Sequence, residues 1–83
     1  MILEATLTHL GFEKQIETAE NSGSENDWHY YTLDIGTLCL ITQASDDVVR
    51  GWEVEIFDDS SVKFTDPNEL KILIEVLKRN TVN

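Results

Sequence analysis

One pair of residues, Cys39 and His29, has the side chains required for nucleophilic chemistry, and both lie on neighbouring predicted strands. A catalytic thiolate needs a base within hydrogen-bond reach and usually a third group that orients that base. Whether the two side chains share a face depends on the register of the intervening turn. Cys39 also stands between Leu38 and Leu40, and free cysteines are commonly buried structural residues. We therefore expect no catalysis here.

Two pairs of adjacent carboxylates, Asp46–Asp47 and Asp58–Asp59, are the groups best suited to hold a metal ion. Calcium-binding loops place acidic ligands at alternate positions around a glycine turn, and neither pair has that spacing. Asp and Ser also favour turns, because their side chains hydrogen-bond to the local backbone. We interpret both pairs as solvated turn residues and expect neither a metal ion nor any other cofactor.

Motifs typical of common enzyme sites are absent from the sequence. The four glycines are isolated, at positions 11, 23, 36 and 51, so no glycine-rich loop can cradle a phosphate group. No Gly-x-Ser-x-Gly motif places a nucleophilic serine on a tight turn. These absences predict that the protein is not an enzyme.

The charge of the chain is strongly negative and unevenly distributed. Six Lys and Arg residues stand against sixteen Asp and Glu residues among 83 positions, giving a formal net charge of −10. Residues 12–60 hold twelve of the acids against only Lys14 and Arg50. Nucleic-acid binding ordinarily requires Lys and Arg at the phosphates, so we expect no direct contact with nucleic acid.

The sequence also bears on where the protein works. No apolar run approaches the roughly 20 residues that a membrane-spanning helix needs. The segment from Met1 to Leu10 carries Glu4 and no Lys or Arg, which is not the pattern of a secretory signal. The single cysteine has no partner for an internal disulfide. These features predict a cytoplasmic protein that does not bind membranes.

Helices are predicted at both ends of the chain. Leu3, Leu7 and Leu10 have helical spacing, and Gly11 suits the left-handed position after a helix end. In such an ending, Phe12 would fold back onto Leu7. Near the other terminus, a helix is indicated by a capping Asp66, by Pro67 at the first helical position and by an apolar stripe of Leu70, Leu73, Ile74 and Leu77.

Between the helices, alternating and β-prone stretches predict five strands. They cover residues 12–17, 28–35, 38–42, 51–57 and 62–64, with polar loops at 18–27 and 44–50 and a turn at 58–61. Short connections favour antiparallel neighbours. The order α-β-β-β-β-β-α therefore predicts one small acidic α+β domain over residues 1–83, an antiparallel meander of four to five strands with N- and C-terminal helices.

The meander leaves open which side chains form the second face of the sheet. That face contains either Trp28 and Tyr30 or His29 and Tyr31, joined by alternate residues of the run at 38–42. It is either covered by the N-terminal helix or exposed as a binding surface, because Trp and Tyr are frequent interface anchors.

These patterns predict a non-catalytic interaction module that binds a basic protein partner through an acidic surface. The meander places loops 18–27 and 44–50 at one end of the sheet, where their acids meet. The predicted contact residues are those acids and two aromatic anchors: Glu20, Glu25, Asp27, Asp46, Asp47, Trp28 and Tyr30. The alternative is a structural homo-oligomer that associates through the aromatic and aliphatic sheet face.

Overall fold

The chain forms a five-stranded antiparallel sheet in a computed structural model that describes residues 1–23 and 25–81. Strands pair in chain order across the sheet. The predicted α+β meander with terminal helices is therefore confirmed. The helices are α1 (Glu4–His9), α2 (Ala19–Ser22) and α3 (Pro67–Asn80), and the strands are β1 (Glu13–Glu17), β2 (Trp28–Ile35), β3 (Leu38–Thr42), β4 (Val54–Ile56) and β5 (Asp59–Phe64).

Three residues lie outside the described ranges. Ser24 belongs to the predicted loop 18–27, and Val82 and Asn83 belong to the end of the predicted domain 1–83. Among the described helices, none is long and apolar enough to cross a bilayer.

The end of α1 has the predicted glycine ending. Gly11 has a φ of 97°, and its N–H donates to the carbonyl of Thr8 at 3.1 Å. The N–H of Phe12 donates to the carbonyl of Leu7 at 3.0 Å. Both side chains of this last pair are buried in the core, which completes a Schellman motif and turns the chain into β1.

The turn between β2 and β3 has only two residues, Gly36 and Thr37, so Ile35 pairs with Leu38. Gly36 adopts a φ of 62°, a value that a residue with a side chain rarely takes. The register continues to a pair of Asp34 with Cys39. Because alternate residues point to opposite faces, every side chain of these two strands is assigned to a face by this turn.

The hydrophobic core lies on one face of the sheet, and both terminal helices pack there. Leu7 of α1 and Leu70 and Ile74 of α3 are buried together with strand residues of that face. Neither α1 nor α3 therefore covers the opposite face. The core residues are Ile2, Leu7, Phe12, Tyr31, Ile35, Leu40, Trp52, Val54, Leu70 and Ile74.

The predicted strand 51–57 is shorter in the structure. Its first part leaves β3 and pairs instead with the N-terminal segment, where the Trp52 N–H donates to the Ile2 carbonyl at 2.9 Å. The Gln43 side chain bridges the resulting gap, because its Oε1 accepts from the Glu53 N–H at 2.8 Å. β4 is left with the residues from Val54 to Ile56.

Two of the predicted connections are partly wrong. The turn after β4 lies at Phe57 and Asp58, so β5 begins at Asp59 within the predicted turn 58–61. The predicted loop 18–27 contains the single helical turn α2. Thr18 Oγ1 accepts from the Asn21 N–H at 3.2 Å and caps that turn, which the polar composition alone did not indicate.

The start of α3 follows the prediction. The Asp66 carboxylate accepts from the Asn68 N–H at 2.8 Å, and Pro67 occupies the first turn. This cap and the buried Leu70 and Ile74 determine where the helix begins and which side faces the sheet.

Two substitutions in α3 test this packing. Leu70 is 0% exposed and Ile72 is 61% exposed. We expect Leu70→Ala to lower the free energy of unfolding by about 2–5 kcal/mol, because it removes a fully buried side chain. Such a loss is large against the roughly 4–12 kcal/mol expected for a chain of this length. The matched Ile72→Ala should change the free energy of unfolding by about 0.5 kcal/mol or less.

Urea unfolding followed by circular dichroism measures both values. Equal losses from the two variants would contradict the assignment of the buried side of α3.

Candidate functional site

The face of the sheet opposite the core is the candidate site, and we call it the open face. Cross-strand pairing places its side chains together, because Glu17 pairs with Trp28 and Thr32 pairs with Ile41. The same alternation continues to Glu55 of β4. The side chains of the open face are Glu13, Gln15, Glu17, Trp28, Tyr30, Thr32, Asp34, Cys39, Ile41, Glu55 and Lys63.

Two aromatic side chains form the apolar centre of the open face. The rings of Trp28 and Tyr30 lie with their centroids 5.7 Å apart and tilted by 34°. Both side chains are half-buried although neither belongs to the core. A shallow depression of about 290 Å³ lies beside them and is lined by Glu17, Trp28, Tyr30, Ile41, Thr42 and Ala44.

The charge of the open face is negative. Four carboxylates, those of Glu13, Glu17, Asp34 and Glu55, stand against the single ammonium of Lys63 among the side chains that define this face. Lys63 Nζ lies 3.7 Å from Glu55 Oε1 and neutralises that carboxylate. The other three make no ion pair within residues 1–23 and 25–81. Aromatic rings bordered by unpaired carboxylates attract cations.

The predicted loop acids border one end of this face. Glu20 lies in α2, Glu25 and Asp27 lie in the segment before β2, and Asp46 and Asp47 lie in a 3₁₀ turn at Ser45–Asp47. All five side chains are exposed.

The two loops are held at the same end of the sheet, as predicted. The His29 N–H donates to Ser45 Oγ at 3.1 Å and ties the 3₁₀ turn to the start of β2. The Asp27 carboxylate accepts from the Ala19 N–H at 2.7 Å, so it stabilises α2. In the described ranges, no three His, Cys, Asp or Glu side chains converge in a way that could hold a metal ion.

His29 and Cys39 lie on opposite faces of the sheet and cannot act as a pair. Cys39 faces Asp34 on the open face, whereas His29 lies on the core side and contacts Glu4. Burial, followed by the Asp34 carboxylate, raises the pKa of the Cys39 thiol. A raised pKa keeps the thiol protonated at neutral pH, which opposes a nucleophilic role.

The contacts of His29 fasten α1 to the sheet. Its Nε2 lies 2.5 Å from Glu4 Oε1, and its ring centroid lies 5.7 Å from that of Trp52. Tyr31 meets Trp52 edge to face at 5.2 Å. Burial, with a further contribution from Glu4, raises the pKa of Tyr31. This cluster is a structural support for the core side.

A second concave region, which the sequence did not indicate, surrounds the N-terminal segment. Two adjoining depressions of about 590 and 610 Å³ share Met1, Val49, Arg50 and Trp52 in their lining. Val49 is 88% exposed there. Arg50 stands with Asp47 and Glu53 around the first depression, so its lining has no single sign of charge.

The strand acids of the open face were not predicted from the sequence. Trp28 and Tyr30 were predicted as contact residues but Glu17 and Asp34 were not, because a residue's neighbour across the sheet is identified only by the register. The alternation of Glu13, Gln15 and Glu17 was the signal available, since it places the three on one face.

Fold and site together define a small α+β domain whose sheet is covered by helices on one face and carries an aromatic, acidic surface on the other. Comparisons of this chain with protein-family models, with curated proteins and with solved structures found no match. Its function is therefore inferred from geometry and charge.

The reactivity of Cys39 tests the environment of the open face. Since burial and Asp34 raise its pKa, we expect its reaction with a disulfide reagent at pH 7 to be slower than that of free cysteine. The rate should rise with pH, with a midpoint above the ordinary thiol value. Asp34→Asn should lower that midpoint and accelerate the reaction at pH 7.

Stopped-flow absorbance across pH 6–11, about the range in which thiols titrate, measures the rates. Asp46→Asn, which removes a carboxylate from the 3₁₀ turn, is the control and should leave the midpoint unchanged. An unchanged midpoint in Asp34→Asn would show that this carboxylate does not act on the thiol.

Proposed function

We propose that the protein is a non-catalytic interaction module that binds a basic protein partner through the open face. The observation that carries this proposal is the uncovered Trp28–Tyr30 pair, half-buried and bordered by unpaired carboxylates. Neither terminal helix occupies this surface, because both pack on the core side. An aromatic patch that the fold leaves uncovered is typical of interaction sites.

The aromatic pair would supply most of the binding free energy. Trp and Tyr are enriched among the few interface residues that dominate affinity, because they bury a large rigid surface and lose little conformational entropy. Trp28 and Tyr30 lie on β2, which is hydrogen-bonded to β1 on one side and to β3 on the other. A partner therefore meets a surface that is already ordered, which reduces the entropic cost of binding.

The carboxylates would supply selectivity for a basic partner. The net charge of −10 attracts positively charged proteins over distances of about one Debye length and accelerates their encounter. The loop acids Glu20, Glu25, Asp27, Asp46 and Asp47 extend the negative surface beyond the Trp28 end of the open face. We assign them to the rim, where charges change association rate more than affinity.

A second copy of the chain is the alternative occupant. Its support is the same uncovered aromatic surface. Face-to-face association would, however, bring the three unpaired carboxylates of each copy together, and like charges across an interface cost binding free energy. We therefore favour a basic partner over self-association.

A capture experiment with matched charge variants tests the proposal. Tagged wild-type protein is incubated with a lysate of its source organism, and the retained proteins are quantified by mass spectrometry. We expect Glu17→Lys on the open face to reduce retention of a basic protein by about tenfold or more. Glu75→Lys makes the same charge change on the exposed side of α3, and this variant should still retain the basic protein.

Salt supplies a second criterion in the same experiment. The partner should be held at low salt and released at about 1 M salt, where charges are screened within a few ångströms. Equal retention by both lysine variants would contradict binding at the open face. Retention unchanged at high salt would contradict electrostatic recognition.

Sedimentation equilibrium over a wide concentration range tests the homo-oligomer. We expect the mass of a monomer throughout, because the open faces repel each other. A mass that rises with concentration in the wild type and returns to the monomer in Trp28→Ala would favour the homo-oligomer instead.

A further inference from the structure

The depression beside Trp28 combines two features that recognise one particular chemical group. Trp28 and Tyr30 form its aromatic wall, and Ile41 and Ala44 add an apolar border. Glu17 places a carboxylate directly across the strand pair from Trp28. An aromatic surface beside a carboxylate is complementary to a flat cation.

We propose that this depression binds the guanidinium group of an arginine side chain, an inference that rests on the proposed function and names the group of the basic partner that is recognised. Guanidinium is planar, so it stacks on an aromatic ring while its N–H groups donate to a carboxylate. Such charge-assisted bonds are often paired and hold the plane in one orientation. Trp28 and Glu17 offer the two halves of this arrangement.

Position and ion pairing together single out Glu17, because among the open-face carboxylates that make no ion pair within the described residues, it is the one that lines the depression. Glu55 already has Lys63 at 3.7 Å, and Glu4 has His29 at 2.5 Å. Within residues 1–23 and 25–81, Glu17 has no such partner although its side chain is half-buried. A cation supplied by another molecule would therefore gain an attraction that the chain itself leaves unused.

The size and charge of the depression favour one cationic side chain over other occupants. Its volume of about 290 Å³ lies at the lower limit of the range of roughly 300–1,000 Å³ that is common for small-molecule pockets. One inserted side chain suits it better than a whole cofactor. An anion would be repelled by Glu17, and an apolar side chain would remove that carboxylate from water without compensation. Lysine satisfies the charge but has no plane to stack on Trp28.

Nuclear magnetic resonance titration of the whole chain tests this site. The probe is a short acetylated, amidated peptide of Gly and Ser with three arginines, compared with the same peptide carrying lysines. The protein has two tryptophans, so two indole N–H signals are observed, and Trp28→Phe assigns them. Trp52 is 7% exposed on the core side and serves as an internal reference.

We expect the arginine peptide to shift the Trp28 indole signal, leave the Trp52 signal in place and bind at least about threefold more tightly than the lysine peptide. Glu17→Gln should weaken arginine binding by about fivefold or more. The matched Glu75→Gln on α3 should weaken it by less than about twofold. An unchanged Trp52 signal in each variant confirms that the fold is intact.

Three results would overturn the arginine site. These are a Trp28 signal that the arginine peptide does not move, equal affinity for the two peptides, and equal weakening by Glu17→Gln and Glu75→Gln. The capture experiment separates this failure from failure of the proposed function. A partner lost in Glu17→Lys but an arginine peptide that leaves Trp28 unmoved would keep the interaction module and reject the arginine site.

Discussion

The two-residue turn at Gly36 and Thr37 determines the register between β2 and β3, and the composition of both sheet faces depends on that register. A slip of one residue would move every side chain of one strand to the other face relative to its neighbour. Cys39 would then pair with Leu33 or Ile35 and share a face with Tyr31 and His29 instead of pairing with Asp34. Glycine at position 36 allows this short turn, because a φ of 62° has little conformational energy cost for a residue without a side chain.

The division of faces explains why both terminal helices lie on one side. Tyr31, Leu40 and Val54 give the core side an apolar surface that α1 and α3 can bury. Within residues 1–23 and 25–81, the open-face carboxylates of Glu13, Glu17 and Asp34 make no ion pair, and burying such carboxylates beneath a helix would cost several kcal/mol. The same charge on which the proposed basic partner would depend therefore also disfavours coverage of this face by the chain's own elements.

The anchoring of α1 shows how the core side is closed in a small chain. Ile2 pairs with Trp52 in an isolated β-bridge. The contact of Glu4 with His29 holds the start of α1 against the aromatic rings on the core side. These contacts join the N-terminal segment to residues far away in the sequence. The aromatic residues of β2 thus lie in two different environments, because His29 and Tyr31 contact Trp52 on the core side while Trp28 and Tyr30 lie on the open face outside the core.

Local patterns in the sequence determined the terminal helices and most of the strands. The Gly11 ending of α1 and the Asp66 cap of α3 depend on residues within a few positions, so propensity and spacing were sufficient to predict them. Trp28 and Tyr30 were predicted as anchors because their residue types are typical of interfaces.

The open face as a whole was not predictable, since Glu17 and Trp28 meet only through the register across the long β1–β2 connection. The pairing of Ile2 with Trp52 and the bond from Ala19 to Asp27 likewise join separated positions. Only the tertiary structure decided these features. Residues that are distant in the sequence meet only when the whole chain folds to bury its apolar surface.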